Sequence, residues 1–151
     1  MRDLEDDFDM VCLAFPAKMG GETRELKSRT WAGEDGEDTY FPAHVSTEAY
    51  DVEIELGYKG EPGTSVAAVG KLLDYLRGTS DGCSEIAFYN SWAGIGRRKA
   101  WLKEVSDEEL YVDEGEEVAT LTVTLRVCDP TAKVVPVVSG TGVITKLDVA
   151  G

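Results

Sequence analysis

The chain has 151 residues, of which 42% are hydrophobic, and its formal net charge is −14. This length and composition predict one folded domain with a buried core and exclude a disordered chain. The negative charge argues against a protein that grips nucleic acid, because phosphate binding depends on clustered lysine and arginine. No apolar run approaches the roughly 20 residues of a membrane-spanning helix, so no membrane partner is expected. The acidic N-terminus does not resemble a secretory signal, which favours the cytosol of the producing cell unless the chain leaves as part of a larger particle.

The first third of the chain is predicted to hold a short strand and a hairpin. Residues 1–9 are expected to be an acidic lead-in, and residues 10–130 a single domain. The apolar run Met10–Phe15 is typical of a strand. Residues 24–31 can extend as another strand, and residues 33–38 have the glycine and acid content of a turn. This pattern predicts a β-hairpin whose tip is acidic.

The clearest strand is Tyr50–Tyr58, where apolar residues occupy every second position and acidic residues lie between them. Such alternation predicts a sheet with one face in the core and one face in water. The only predicted helix covers residues 64–77, because it starts at hydroxyl residues that can cap free amides and stops before Gly78. Its predicted buried stripe consists of Val66, Val69, Leu73 and Leu76, and Leu72 widens this stripe.

Two further strands are predicted around a tight turn. They are residues 84–91 and residues 99–105, joined by Ala93–Gly96. Residues 106–117 are rich in acids and are interpreted as a connection. Residues 119–127 alternate apolar side chains with threonine and predict a second well-defined strand.

The order of elements predicts the fold class. Strands, one helix and then further strands with tight turns indicate an α+β domain, mainly an antiparallel β-sandwich or barrel-like sheet with one flanking α-helix over residues 64–77. The C-terminal residues 131–151 form a valine- and glycine-rich extension that either pairs with a neighbour or lies free.

Residues that often carry chemistry do not form a recognised motif. Cys12, Cys83 and Cys128 are far apart and odd in number, which excludes a disulfide framework or zinc pattern and favours buried, inert thiols. His44 is the only histidine and is expected to face solvent in a loop after Pro42. A nucleophile motif such as GxSxG is absent from the sequence. No catalytic residue, cofactor or metal ligand is therefore predicted.

The densest acidic stretch contains Glu34, Asp35, Glu37 and Asp38. Its spacing does not match the EF-hand calcium loop, although a weak surface calcium site is an alternative. Catalytic carboxylates are usually held apart in a cleft, whereas these lie together on a glycine-rich turn. We interpret them as a solvated hairpin tip.

One basic cluster contains Arg97, Arg98 and Lys99, close to Trp101. The preceding glycines do not form a dinucleotide fingerprint or a P-loop. Basic and aromatic residues together are also found in proteins that bind single strands. The alternative, a strand start or an interface with an acidic neighbour, fits better with the overall negative charge.

Several patterns together resemble the phage distal tail proteins. The segment RTWAGEDGEDTYFP, which begins at Arg29, is similar to the arginine and acidic-glycine hairpin near the start of that family. A well-defined strand, an amphipathic helix and two strands with aromatic residues follow, and the last strand ends in LRVCDP. The resemblance covers residues 10–130 and lies in the order of the elements. Tail-tube and baseplate ring subunits share a related fold.

The resemblance implies a ring, most often a hexamer, which joins the tail tube to the baseplate around a channel for DNA. DNA would pass through without specific binding, and the other partners would be tail and baseplate proteins. We predict that the subunit interface or the lumen is formed by Arg29, Trp31, Glu34, Asp35, Glu37, Asp38, Arg97, Arg98 and Lys99. In particular, the basic cluster of one subunit is expected to meet the acidic tip of the next.

Two other functions remain open at this point. One is a tube or ring subunit of a contractile injection system. The other is a small-ligand or carbohydrate-binding module with aromatic platforms at Trp31, Tyr40, Trp92 and Trp101. Such aromatics are more often core or interface residues.

Overall fold

The computed structural model describes residues 2–16, 20–79 and 83–149. Within these residues the helices are α1 (Leu4–Phe8) and α2 (Ser65–Arg77). The strands are β1 (Met10–Ala14), β2 (Ser28–Arg29), β3 (Asp38–Thr39), β4 (Tyr50–Gly60), β5 (Ile86–Asn90), β6 (Ile95–Asp113), β7 (Glu116–Val127), β8 (Val134–Val138) and β9 (Ile144–Val149).

The main sheet has five antiparallel strands in the order β1-β4-β7-β6-β5. The two strands with the clearest alternation lie side by side at its centre, where β4 pairs with β7 from Tyr50–Val127 to Gly60–Glu117. Two small hairpins, β2–β3 and β8–β9, stand outside this sheet. The predicted α+β class, an antiparallel sheet with a flanking helix, is confirmed.

The core lies between α2 and one face of the sheet. Val52 and Leu56 of β4, with Leu121 and Val123 of β7, are almost fully buried on this face. Leu72 of α2 is 0% exposed, whereas Val66 is 76% exposed. The helix bounds were predicted correctly, but Val66 does not belong to the buried stripe, because the first turn of α2 directs this side chain away from the sheet.

The acidic N-terminal residues are partly folded. Asp3 caps α1 by accepting hydrogen bonds from the amides of Glu5 and Asp6. Phe8 is buried, and its ring lies 5.3 Å from the ring of Tyr75 on α2. The interpretation of residues 1–9 as a simple lead-in missed this helix, because five residues are too few for a periodic pattern.

The predicted acidic connection at residues 106–117 is wrong. Strand β6 continues to Asp113, and only Glu114 and Gly115 form the turn, with positive φ values of 51° and 80°. Paired left-handed residues are typical of a two-residue hairpin, since they match the twist of the strands. The acids were mistaken for a loop because this part of β6 is exposed and tolerates charge.

The C-terminal extension folds back on itself as the β8–β9 hairpin. Val134 is buried, and a Cβ atom at Gly96 would lie 2.5 Å from the carbonyl oxygen of Val134. Glycine at the start of β6 therefore permits the hairpin to pack closely against the sheet. The boundary at residue 130 stays a prediction.

Candidate functional site

Residues 20–49 form a projecting, two-stranded ribbon that we call the arm. Its two legs are joined by backbone contacts, including the Thr23–Thr47 bridge and the hydrogen bond from the Tyr40 amide to the Lys27 carbonyl, at 2.9 Å. No residue of the arm is buried. A ribbon of this kind has no core of its own, and an isolated two-stranded hairpin is at best marginally stable in water.

The tip of the arm confirms the predicted hairpin. Arg29 and Asp38 are directly opposite each other in β2 and β3. Gly33 and Gly36 have φ values of 84° and 78°, a conformation that favours glycine in a turn. The guanidinium of Arg29 lies 5.1 Å from the centre of the Trp31 ring, a cation–π contact. The four carboxylates, Glu34, Asp35, Glu37 and Asp38, are all exposed.

The basic cluster differs from the prediction in its exposure. Arg97 is only 4% exposed, and its Nη1 donates to the carbonyl of Gly96 at 2.8 Å. Arg98 forms an ion pair with Asp129 at 3.1 Å. Burial by itself would raise the pKa of Asp129, but the hydrogen bonds that its carboxylate accepts from the Ala132 amide and from Arg98 lower the pKa below its usual value. Arg97 is therefore not available to a neighbour as the sequence suggested.

Lys99 is the exposed member of this cluster. Its φ of 53° is left-handed, and it lies where the β5–β6 register shifts, which marks a β-bulge. Within the described ranges it has no ion pair. One exposed lysine is a weak match for an acidic tip with four carboxylates.

In the half of the main sheet that β5 does not reach, two edges have no neighbouring strand among the described residues. Strand β5 pairs with β6 only as far as Ala100, so no described strand covers the outer edge of β6 from Trp101 to Asp113. Strand β1 forms the other border. One row of paired residues across these four strands runs through Met10, Tyr58, Ala119 and Leu110.

The open stretch of β6 carries exposed apolar side chains. Leu110 is 59% exposed, Tyr111 is 50% exposed and Val112 is 71% exposed. Large apolar residues next to unpaired backbone groups are characteristic of a surface that another chain covers.

The sheet face opposite α2 carries charged side chains beside the exposed Trp101, which is paired with Arg126 across β6 and β7. Asp51 accepts hydrogen bonds from Lys103 at 2.7 Å and from Arg126 at 3.0 Å. These two bonds, the one from Lys103 first, lower the pKa of Asp51 below its usual value. Both cations are thereby paired, while the neighbouring Glu53 and Glu55 of β4 remain exposed.

Glu117 of β7 is a buried carboxylate that lies beside the start of α2, and the sequence pattern did not predict it. Glu117 accepts hydrogen bonds from the hydroxyl of Ser65 and from the amide of Gly63. These bonds, the one from Ser65 first, lower the pKa of Glu117. Thr64, one of the two predicted capping hydroxyls, makes no capping bond with its side chain. The pattern gave no signal for Glu117, because it lies 52 residues after Ser65.

The cysteines are not buried as predicted. Cys12, Cys83 and Cys128 are all free and exposed, because they lie on an edge strand, before β5 and just after the end of β7. His44 is exposed in a loop, as predicted. In the part of the chain that the structure describes, no group of three or more His, Cys, Asp or Glu side chains is placed to hold a metal ion. No helix there is long and apolar enough to cross a membrane.

The geometry defines a class of protein: an antiparallel sheet with one main flanking helix, a projecting arm and an uncovered edge. No protein-family model and no curated protein matches the chain. Among solved structures, the fold is similar to the crystal structure of the SPP1 Dit (gp 19.1) protein, described as a paradigm of the hub adsorption apparatus in phages that infect Gram-positive bacteria.

The similarity to SPP1 Dit has a TM-score of 0.51 and a sequence identity of 19%. It covers 87% of this chain and 49% of that one, so this chain spans about half the length of SPP1 Dit. The resemblance to distal tail proteins that the sequence suggested is confirmed at the level of the fold.

Proposed function

We propose that this chain is a structural component of a phage or prophage tail, a ring subunit of the distal-tail type that connects the tail tube to the baseplate. The observation that carries the proposal is the fold shared with SPP1 Dit over 87% of this chain. The expected location is the virion tail, and the expected partners are further copies of the chain and other tail and baseplate proteins. The similarity to SPP1 Dit, a protein of an adsorption apparatus, supports a structural role for this chain rather than a catalytic one.

Two features of the molecule support assembly independently of the fold. The arm buries none of its side chains, and among the described residues no strand covers the outer edge of β1 or that of β6 beyond Ala100. Open edges invite pairing with another chain, and a heterologous contact that closes by rotation produces a ring. A hexamer is the expected size.

The charge of the chain supports a channel that lets DNA slide. Fourteen excess negative charges per subunit, repeated around a ring, would repel phosphate. The sheet face opposite α2 supports a lumen, because Lys103 and Arg126 are paired with Asp51 and Lys59 is paired with Asp113 and Glu116, while Glu53 and Glu55 are exposed. Passage without specific binding is the function proposed for this face.

The first test is the solution mass by light scattering on a size column, at low and high concentration, with electron microscopy of any large peak. Closed rings with an open centre would support the proposal. A monomer at every concentration, together with failure to bind purified tail and baseplate proteins, would contradict it.

A further inference from the structure

The tip of the arm contains an aspartate that is followed by glycine, Asp35–Gly36. In such a pair, the backbone nitrogen of the glycine can attack the Cγ carbon of the aspartate side chain, because glycine has no side chain that hinders the approach. The new C–N bond closes a five-membered succinimide ring, and the carboxylic acid hydroxyl leaves with the hydrogen of the nitrogen as water. Water then opens the ring at either carbonyl carbon, which gives aspartate again or isoaspartate. No other reactant is needed.

The structure leaves the two reacting groups accessible. Among the described residues, the amide of Gly36 donates no hydrogen bond and the carboxylate of Asp35 accepts none. Both residues are exposed and lie between β2 and β3, outside any strand. A Cβ atom placed on Gly36 would have no atom beyond its chain neighbours within 4 Å. Nothing in the described part of the chain therefore blocks the nitrogen or holds the carboxylate away from it.

The backbone at the tip is also free to rotate. Ring closure requires rotation about the Cα–C bond of Asp35, which a strand or helix prevents because its amides are hydrogen-bonded. Asp35 lies between Gly33 and Gly36, and the strand pairing beside this turn consists of only two residues in each of β2 and β3. A segment of this kind opens at little cost in free energy, whereas the strands of a core open at a large cost.

Other aspartates are held differently. Asp51 lies in β4 opposite Arg126 of β7, and its carboxylate forms ion pairs with two cations. Asp129 precedes Pro130, whose nitrogen has no hydrogen to lose and cannot close the ring in this way. A second aspartate–glycine pair, Asp81–Gly82, lies outside the described residues.

We propose that the open tip of the arm makes Asp35 an isomerisation site, which converts slowly to isoaspartate in the folded chain through a succinimide with the nitrogen of Gly36. Isoaspartate carries the main chain through its Cβ atom, so the turn becomes one atom longer while the mass and the number of carboxylates stay the same. Because the turn sets the register of a hairpin, the pairing of Arg29 with Asp38 should weaken. The modification therefore alters the arm and leaves the main sheet unchanged.

Ageing of the purified chain tests this proposal. The protein is kept for several weeks at physiological temperature and mildly acidic pH, and electron-transfer dissociation in a mass spectrometer assigns isoaspartate to individual residues. A peptide of residues 31–39, aged in parallel, gives the rate without the fold. We expect Asp35 in the chain to isomerise within about three-fold of its rate in the peptide, because the tip needs little free energy to open. Assignment by residue keeps any product at Asp81 out of the comparison.

The matched control places the same dipeptide in a tighter turn. Glu114→Asp is a conservative change, and residues 114–115 join β6 to β7 between the paired residues Asp113 and Glu116. Isomerisation at this turn should be at least about ten-fold slower than at Asp35, because rotation requires the long hairpin to open. Asp35→Glu, whose longer side chain would have to close a six-membered ring, should give no product at the tip.

The outcomes decide the proposal without reference to ring formation. Product at Asp35 at the rate of the peptide, with little at the control turn, would confirm the site. A rate at Asp35 more than about ten-fold below that of the peptide, or equal rates at the two turns, would overturn the proposal. The proposed tail function is tested separately, by the solution mass.

Discussion

The carboxylate of Glu117 accepts a hydrogen bond from the hydroxyl of Ser65, which joins the start of β7 to the first residue of α2. Both side chains are nearly inaccessible, with residue exposures of 9% for Glu117 and 1% for Ser65. The amide of Gly63 donates to the same carboxylate. Glu117 therefore ties the first residue of α2 and the loop that leads into it to the main sheet.

Replacement of Glu117 by alanine is expected to lower the melting temperature by several degrees. The hydroxyl of Ser65 and the amide of Gly63 would lose their acceptor in a place that water reaches poorly. Thermal denaturation followed by circular dichroism measures the effect. The matched control is Glu116→Ala, since Glu116 is exposed. Equal melting temperatures for the two variants would show that the hydrogen bonds of Glu117 do not stabilise the fold.

Replacement of Leu72 by alanine is expected to lower the free energy of unfolding by about 2–5 kcal/mol, because it opens a cavity in a close-packed core. Leu72 is 0% exposed, while Val66 on the same helix is 76% exposed. Val66→Ala should change this free energy by less than about 0.5 kcal/mol. Chemical denaturation of both variants checks the orientation of α2. A larger decrease in the free energy of unfolding for Val66→Ala than for Leu72→Ala would contradict this orientation.

The stability of the protein should decrease as the pH falls through the carboxylate range. The pKa of Asp51 is lowered in the folded state, first by the bond from Lys103 and then by that from Arg126. A lowered pKa stabilises the fold above the unfolded value, near 4, and the contribution disappears as the pH falls through the folded pKa. Denaturant unfolding at several pH values should therefore give a shallower acid decrease for Asp51→Asn.

The control for this pH dependence is Glu53→Gln on the same strand. Glu53 is exposed and has no ion pair in the described part of the chain. Its substitution should leave the acid decrease unchanged. If Asp51→Asn and Glu53→Gln gave the same curve as the unchanged chain, the Asp51 ion pairs would not contribute to stability.

Removal of the arm is expected to leave the fold intact. The amide of Glu48 donates to the carbonyl of Glu22 at 2.8 Å, so the two legs lie side by side at the base and a short Gly–Ser turn can join them. Because no arm residue is buried, the shortened chain should melt at nearly the same temperature. We expect its self-association to be lost in sedimentation experiments. A large decrease in melting temperature would show that the arm contributes to the core.

All three cysteines should react with a thiol reagent in the native protein without denaturant. Cys12, Cys83 and Cys128 are exposed, and none forms a disulfide. The count of reacted thiols by absorbance tests this expectation, with the denatured protein as the reference. Protection of any one thiol at high protein concentration, and its exposure on dilution, would locate that cysteine in a contact between copies.

The central part of the fold was predictable from local pattern. The alternation in β4 and β7 identified both strands, and the glycines at Gly33 and Gly36 identified the turn of the arm. These predictions succeeded because the alternating faces of a strand and the glycines of a left-handed turn are visible as patterns of neighbouring residues. The helix α1 has only five residues, too few for a periodic pattern. The acidic half of β6 is exposed at the edge of the sheet, so its residues do not need to alternate between apolar and charged.

The candidate interface depended on tertiary structure more than the fold did. The sequence by itself determined the negative charge, the acidic tip and the order of elements. Only the folded chain decided that Arg97 is buried, that Arg98 pairs with Asp129 and that the edge of β6 is open. Side-chain burial and strand neighbours depend on residues far apart in the chain, so no local pattern specifies them.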